Sequence, residues 1–158
     1  MPVPASLTGR RPRTDDWALG VAVAVSRMAD CSRTQVGAVL LDRHKNLCAG
    51  GYNGPPHGVP GCLEEAWCPR GRLGSSKAHG RADHADCTAL QATERLVIRA
   101  RREDLEGGTV YVTRAPGYRC LQRLREARVF RVVWANETGT EAKVLKWATK
   151  PRADVGAA

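Results

Sequence analysis

The 158-residue chain is the length of a single domain and long enough to bury one sizeable core. Its formal charge of +9, from 25 basic against 16 acidic side chains, suits an anionic partner such as a nucleotide phosphate. No aromatic interleaving accompanies the dispersed arginines, so a nucleic-acid-binding module ranks behind the readings below. The longest nearly apolar run, Ala18 to Val25, is too short to span a bilayer, and the opening Met-Pro-Val-Pro-Ala-Ser lacks a signal peptide's charged-then-apolar order. A cytoplasmic protein without membrane contact is therefore expected, in which the six cysteines serve as metal ligands or small buried hydrophobes rather than disulfides.

Residues 1–13 are rich in Pro and Arg and carry no periodicity, so they are expected to form a flexible basic arm. One domain is expected over 14–150, followed by a frayed tail over 151–158. Thr14-Asp15-Asp16 supplies a helix start, and Trp17, Leu19, Val21, Ala24, Val25 and Met28 recur at helical spacing. Thr34 to Asp42 predicts a buried strand, Arg43-His44-Lys45-Asn46 a turn, and Leu47 to Tyr52 the returning strand of a hairpin.

The long stretch 53–86, rich in Gly, Pro and charge, is expected to be a loop that something pins. Beyond it the pattern alternates: a helix from about Thr88 to Arg101, a strand Thr109 to Thr113, a helix Gly117 to Ala127, a strand Val129 to Ala135, and a last helix around Glu141 to Ala148. Strands alternating with helices predict parallel crossover units, and hence a three-layer α/β/α sandwich whose sheet starts with an antiparallel hairpin.

Several of these stretches together resemble one family. Thr34-Gln-Val-Gly-Ala-Val-Leu-Leu-Asp42, Gly51-Tyr-Asn53-Gly-Pro-Pro, the helix after Cys87, Tyr111-Val-Thr113 and Pro116-x-x-x-Cys120 are similar to the deoxycytidylate deaminase branch of the cytidine deaminase superfamily. The resemblance runs from about residue 16 to 136. It implies a mixed five-stranded sheet, a nucleoside or nucleotide pocket, and homo-oligomers or hetero-oligomers that complete one another's sites. The superfamily's signature is H-x-E followed by P-C-x-x-C: one His and two Cys hold zinc, and the Glu shuttles protons.

Laid on family members reading C-x-A-L-H-A-E-x-N-A-L, the stretch Cys87-Thr-Ala-Leu-Gln91-Ala-Thr93-Glu-Arg95 puts Gln91 at the metal-binding His, Thr93 at the proton-shuttling Glu and Arg95 at the Asn. Gly117 stands at the first Cys of P-C-x-x-C, and Cys120 at the second. A catalytic zinc is therefore not expected between these helices. Asn53, Gln91, Thr93, Arg95, Gly117 and Tyr118 are candidate linings of a ligand pocket, with Cys120, near a helix start, a candidate nucleophile.

Cys62, Cys68 and Cys87 with a histidine have the composition of a closed structural zinc site that would pin the loop. His84 is the leading fourth ligand, with His79 and His57 as alternatives. Cys31 and Cys48 read as packing residues. The leading expectation is a deaminase-fold protein without standard hydrolytic machinery. It binds a nucleoside- or nucleotide-like ligand, as partner of an active paralogue or recruited to other chemistry, for example in specialised metabolism. The alternative is an active zinc-dependent cytidine- or dCMP-type deaminase, its metal site rebuilt from His84, Asp86 and Cys120. It requires Asp to replace the longer Glu and the His to move from position 91 to 84.

Overall fold

The computed structural model of the chain describes residues 11–72, 87–136 and 142–147. Helix α1 (Thr14–Ser26) is followed by the hairpin strands β1 (Gly37–Leu41) and β2 (Leu47–Tyr52), and a 3₁₀ turn covers Pro69–Arg72. Next come α2 (Ala92–Arg99), the single turn α3 (Arg102–Leu105), β3 (Thr109–Val112), α4 (Tyr118–Glu126), β4 (Arg131–Ala135) and β5 (Ala142–Lys146). The strands form one mixed sheet in the order β2-β1-β3-β4-β5. β3 and β4 are the parallel neighbours, joined by the α4 crossover, and the other pairings are antiparallel.

The period-two alternation of each central strand divides the core into two layers. Ala38, Leu40, Val110, Val112 and Val132 face Ala92, Leu96 and Leu124 on one side. Val39, Leu41, Tyr111 and Val133 face Ala18 and Ala22 of α1 on the other. This is the expected three-layer sandwich. Small residues set the closeness of the layers: a Cβ at Gly37 would strike the backbone of Ala22 and Ser26, and one at Gly51 the backbone of Ala92 and Leu96.

Tyr111 and Asp15 tie α1 to the sheet. The Tyr111 hydroxyl donates to Asp15 Oδ1 at 2.8 Å, and Arg131 approaches both carboxylate oxygens at 2.8 and 2.6 Å. The Arg131 hydrogen bonds hold the Asp15 carboxyl below its usual range against the opposing effect of burial. Burial, with the Asp15 hydrogen bond, pushes the Tyr111 phenol up to about 12.

The helix expected at the C-terminal end is instead a strand. Ala142–Lys146 pairs antiparallel with β4, matching Trp134 to Lys143 and Val132 to Leu145. The free edge of β4 offers backbone partners to this short run, whose local pattern is too brief to distinguish the two structures. The helix expected from Thr88 begins only at Ala92, because the preceding segment forms a bridge of Leu90 to Gly54. Most of the expected arm, the tail from Pro151 and much of loop 53–86, including His79, His84 and Asp86, lie outside the described residues.

Candidate functional site

Helices α2 and α4 start on the same side of the sheet, and their first turns border one cavity of about 380 Å³. Its wall combines Gln91, Ala92 and Thr93 from α2, Pro116, Gly117 and Cys120 at the start of α4, and Val112 and Arg114 after β3. Cys31, Arg33 and Thr34 border it before β1, with Asn53, Cys62, Cys68, Arg70 and Cys87 completing it. Helix starts carry partial positive charge. Three arginines and no carboxylate line the cavity among the described residues, so it is electropositive.

The polar groups differ in what they have left to offer. Asn53 makes one backbone bond through each amide atom: its Oδ1 accepts from Val36 N at 2.7 Å and its Nδ2 donates to Thr34 O at 2.8 Å, continuing the strand pairing beyond Tyr52. Gln91 is the N-cap of α2, and the Glu94 carboxylate accepts its backbone N–H at 2.8 Å as half of a capping box. Glu94 also pairs with Arg123 of α4. Thr93 is 4 % exposed, and its hydroxyl has no hydrogen-bond partner among the described residues.

Two candidate pocket residues lie elsewhere. Arg95 does not line the cavity; its Nη2 donates to the carbonyls of Gly54 and Pro55 at 2.7 and 2.6 Å, and its guanidinium lies 4.7 Å from the Tyr52 ring centroid. It clamps the Gly-Tyr-Asn-Gly loop from behind. Tyr118 projects outward, 75 % exposed, because the first residue of α4 falls on the helix's solvent face.

Cys62, Cys68 and Cys87 border the same cavity. Cys62 is buried, and its thiol is pushed up to about 11, first by burial and then by the neighbouring Cys68, Cys31 and Cys87. Cys31, half-buried, borders the same cavity as these three cysteines. Its signal in the sequence was position, just ahead of the strand that leads from Thr34 along the cavity. Cys48 is exposed rather than packed. Arg33, Arg70 and Arg114 were likewise not singled out in the sequence, because no local pattern distinguishes them from the other arginines.

The four positions that the sequence resemblance assigns to the family's catalytic set can be placed in this geometry. At Gly117 there is no side chain, although its φ of −69° and the open space around a hypothetical Cβ would accept one. Gln91 occupies a helix cap and Thr93 offers a neutral hydroxyl, leaving Cys120 as the one thiol at the start of α4. In that correspondence a carboxamide, a glycine and one thiol stand where a catalytic zinc site takes its His-Cys-Cys donors, with a neutral hydroxyl at the proton-shuttling Glu.

A mixed sheet flanked by helices, with a cavity at the starts of the two helices that bear these motifs, defines a deaminase-type α/β fold. Residues 12–136 match the cytidine and deoxycytidylate deaminase zinc-binding region, and the chain belongs to that family. It is 38% identical over 132 residues to the deoxycytidylate deaminase of Mycobacterium phage D29, an alignment covering 81% of this chain and 98% of the relative. It is 29% identical over 125 residues to the deoxycytidylate deaminase of Schizosaccharomyces pombe, covering 78% of this chain and 37% of that one. The fold is shared with the dCMP deaminase of cyanophage S-TIM5, solved in complex with dCMP and dUMP, at a TM-score of 0.60 and 20% identity over 80% of this chain and 84% of that one. Among the described residues no helix is long and apolar enough to cross a membrane.

Proposed function

We propose that this protein binds a nucleoside- or nucleotide-like ligand in the deaminase cavity without carrying out zinc-dependent hydrolysis there. The observation that carries the reading is the replacement set itself: Gln91, Thr93 and Gly117 stand together around one cavity, leaving Cys120 as the only thiol of the catalytic set. The metal supplies a bound water of near-neutral pKa in such enzymes. Without its donors, the cavity keeps hydrogen-bonding groups and positive potential, which serve to hold a ligand. Cys120 lines that cavity as the candidate nucleophile, and the absence of a nearby carboxylate or histidine among the described lining residues leaves it no evident base.

Zinc, in this reading, is structural. Cys62, Cys68 and Cys87 supply three thiolates with His84 as the fourth ligand, and Cys31, which borders the same cavity, is the alternative to it. A closed Cys₃His or Cys₄ set suits tetrahedral zinc. It would join the loop beyond Asn53 to the entry to α2, fixing the cavity wall. Assembly with an active paralogue is the role that fits retained binding without hydrolysis; recruitment to other chemistry is the alternative role.

A second reading is favoured by one observation, the 38% identity to a relative named deoxycytidylate deaminase. In that reading His84, Asp86 and Cys120 rebuild a catalytic site and dCMP is turned over. Zinc content and dCMP turnover of the purified protein and of its Cys62→Ala and Cys120→Ala variants separate the two. Ligand binding without turnover, with zinc lost only in Cys62→Ala, is the expected result. Turnover of dCMP that disappears together with zinc in Cys120→Ala would establish the second reading instead.

A further inference from the structure

We infer that the outward face of α1 is an interface between two copies of this chain, packed antiparallel about a two-fold axis midway along the helix. This surface lies across the sheet from the cavity, because α1 covers the layer of Val39, Leu41, Tyr111 and Val133 whereas α2 and α4 cover the other. Pairing there leaves both cavities open and does not depend on what they hold.

Every residue from Trp17 to Val25 is apolar or glycine, so the middle of α1 has no polar side to turn to water. A helix that is apolar all round is ordinarily covered all round. Here one side is covered and the other is not. Ala18 and Ala22 are buried against the sheet, whereas Trp17 is 42 %, Val23 49 % and Met28, just beyond the helix, 66 % exposed. Gly20 lies on the same outward face. A glycine inside a helix costs about 1 kcal/mol relative to alanine, yet a Cβ at Gly20 would meet no atom within 4 Å, so no described residue requires its absence. A second backbone approaching closely at that point does.

The charges at the two ends of this face identify the occupant. Asp16 and Trp17 begin it, Arg27 and Met28 end it, and Gly20 and Ala24 lie between them at helical spacing. Turned antiparallel, a second copy sets its Arg27 and Met28 against Asp16 and Trp17, and its Ala24 against Gly20, and the two-fold axis repeats each contact. A parallel pair would oppose like charges at both ends. Asp16 already holds Arg13 at 2.9 Å, but the pair is exposed and a carboxylate has lone pairs for a second guanidinium. Arg27 has no side-chain partner among the described residues. A 13-residue helix is only about 20 Å long, and the face continues beyond it onto β5. Val144 is exposed and, paired with Val133, projects from the sheet on the side of α1. This widens the contact toward the roughly 800 Å² per subunit of a stable pair.

Sedimentation of the full chain as purified tests the assignment. Wild type should run as a dimer or an even multiple of one. Gly20→Arg fills space that is open in the single chain, so it should halve the mass while keeping a cooperative thermal transition. Asp16→Lys and Arg27→Glu should each raise the dissociation constant by about a hundredfold, since each brings like charges together at both ends of the contact. Mixing these two variants should restore the pair, because the substituted side chain of each then meets its opposite on the other. A monomeric wild type, a Gly20→Arg variant of unchanged mass, or a mixture that stays apart overturns the inference. A monomer that pairs only after residues 1–10 are removed, or that binds phosphatidylcholine vesicles, assigns the face to the chain's own start or to lipid and overturns it equally.

Discussion

Arg95 donates to the carbonyl of Gly54 across the gap between α2 and the loop after β2, at 2.7 Å. The same nitrogen reaches the Pro55 carbonyl, and the guanidinium lies over Tyr52, whereas Nε is buried without a partner. The sequence resemblance puts Arg95 at an Asn position, and here the long cation is committed to the backbone just after Asn53. Arg95→Asn cannot span that distance. It should lower stability by about 2 kcal/mol in urea denaturation, the scale of a lost charge-assisted hydrogen bond, and Arg95→Lys should recover only part of it. Equal stability of Arg95→Asn and wild type would show that the clamp contributes nothing.

The Asp15–Arg131 pair predicts a pH dependence. The carboxyl of Asp15 is held below its unfolded value in the native state, so its contribution is fully present above about pH 4 and is lost as pH falls through the native value. Asp15→Asn should be less stable than wild type by about 2 kcal/mol at pH 7, with the gap closing toward pH 2 as followed by urea midpoints. A gap that stays constant across that range would assign the loss to packing alone.

Restoring the family's donors is a direct test of the missing machinery. Gly117 tolerates a side chain, since its φ is −69° and no atom lies within 4 Å of the added Cβ. A Gln91→His, Thr93→Glu, Gly117→Cys triple variant should therefore bind one more zinc per chain than wild type, whereas Gly117→Cys alone should not. Metal analysis reads this directly. Any dCMP turnover acquired should fall by about 10² or more on reverting Thr93, the scale of general acid–base help.

Removing zinc should unfold the cavity wall before the sheet. Cys62→Ala should lose the metal and chelation should lower stability by more than about 3 kcal/mol, and Cys31→Ser loses it as completely only if Cys31 is the fourth ligand. Full zinc retention in Cys31→Ser would leave the fourth position to a histidine. Hydrogen exchange locates the effect: protection should fall first around Leu90, Gly54 and the start of α2, while β1 and β3 stay protected.

The amino-acid sequence alone determined the sandwich, because its strand and helix periodicities are local and each central strand alternates between the two faces. Its motif spacing also brought Gln91, Thr93, Gly117 and Cys120 to the border of one cavity, since α2 and α4 start on the same side of the sheet. What it could not determine depends on contacts between distant segments. Ala142–Lys146 becomes a strand because β4 has a free edge, and Cys31 and Cys62 border one cavity because the loop after β2 returns to the segment before β1, where Leu63 N–H donates to Asp30. Asn53 and Arg95, both plausible ligand contacts by position, are consumed by backbone partners at Thr34, Val36, Gly54 and Pro55. A polar side chain's residue type states which bonds it can make. Only the packed backbone around it decides whether any of them is left for a ligand.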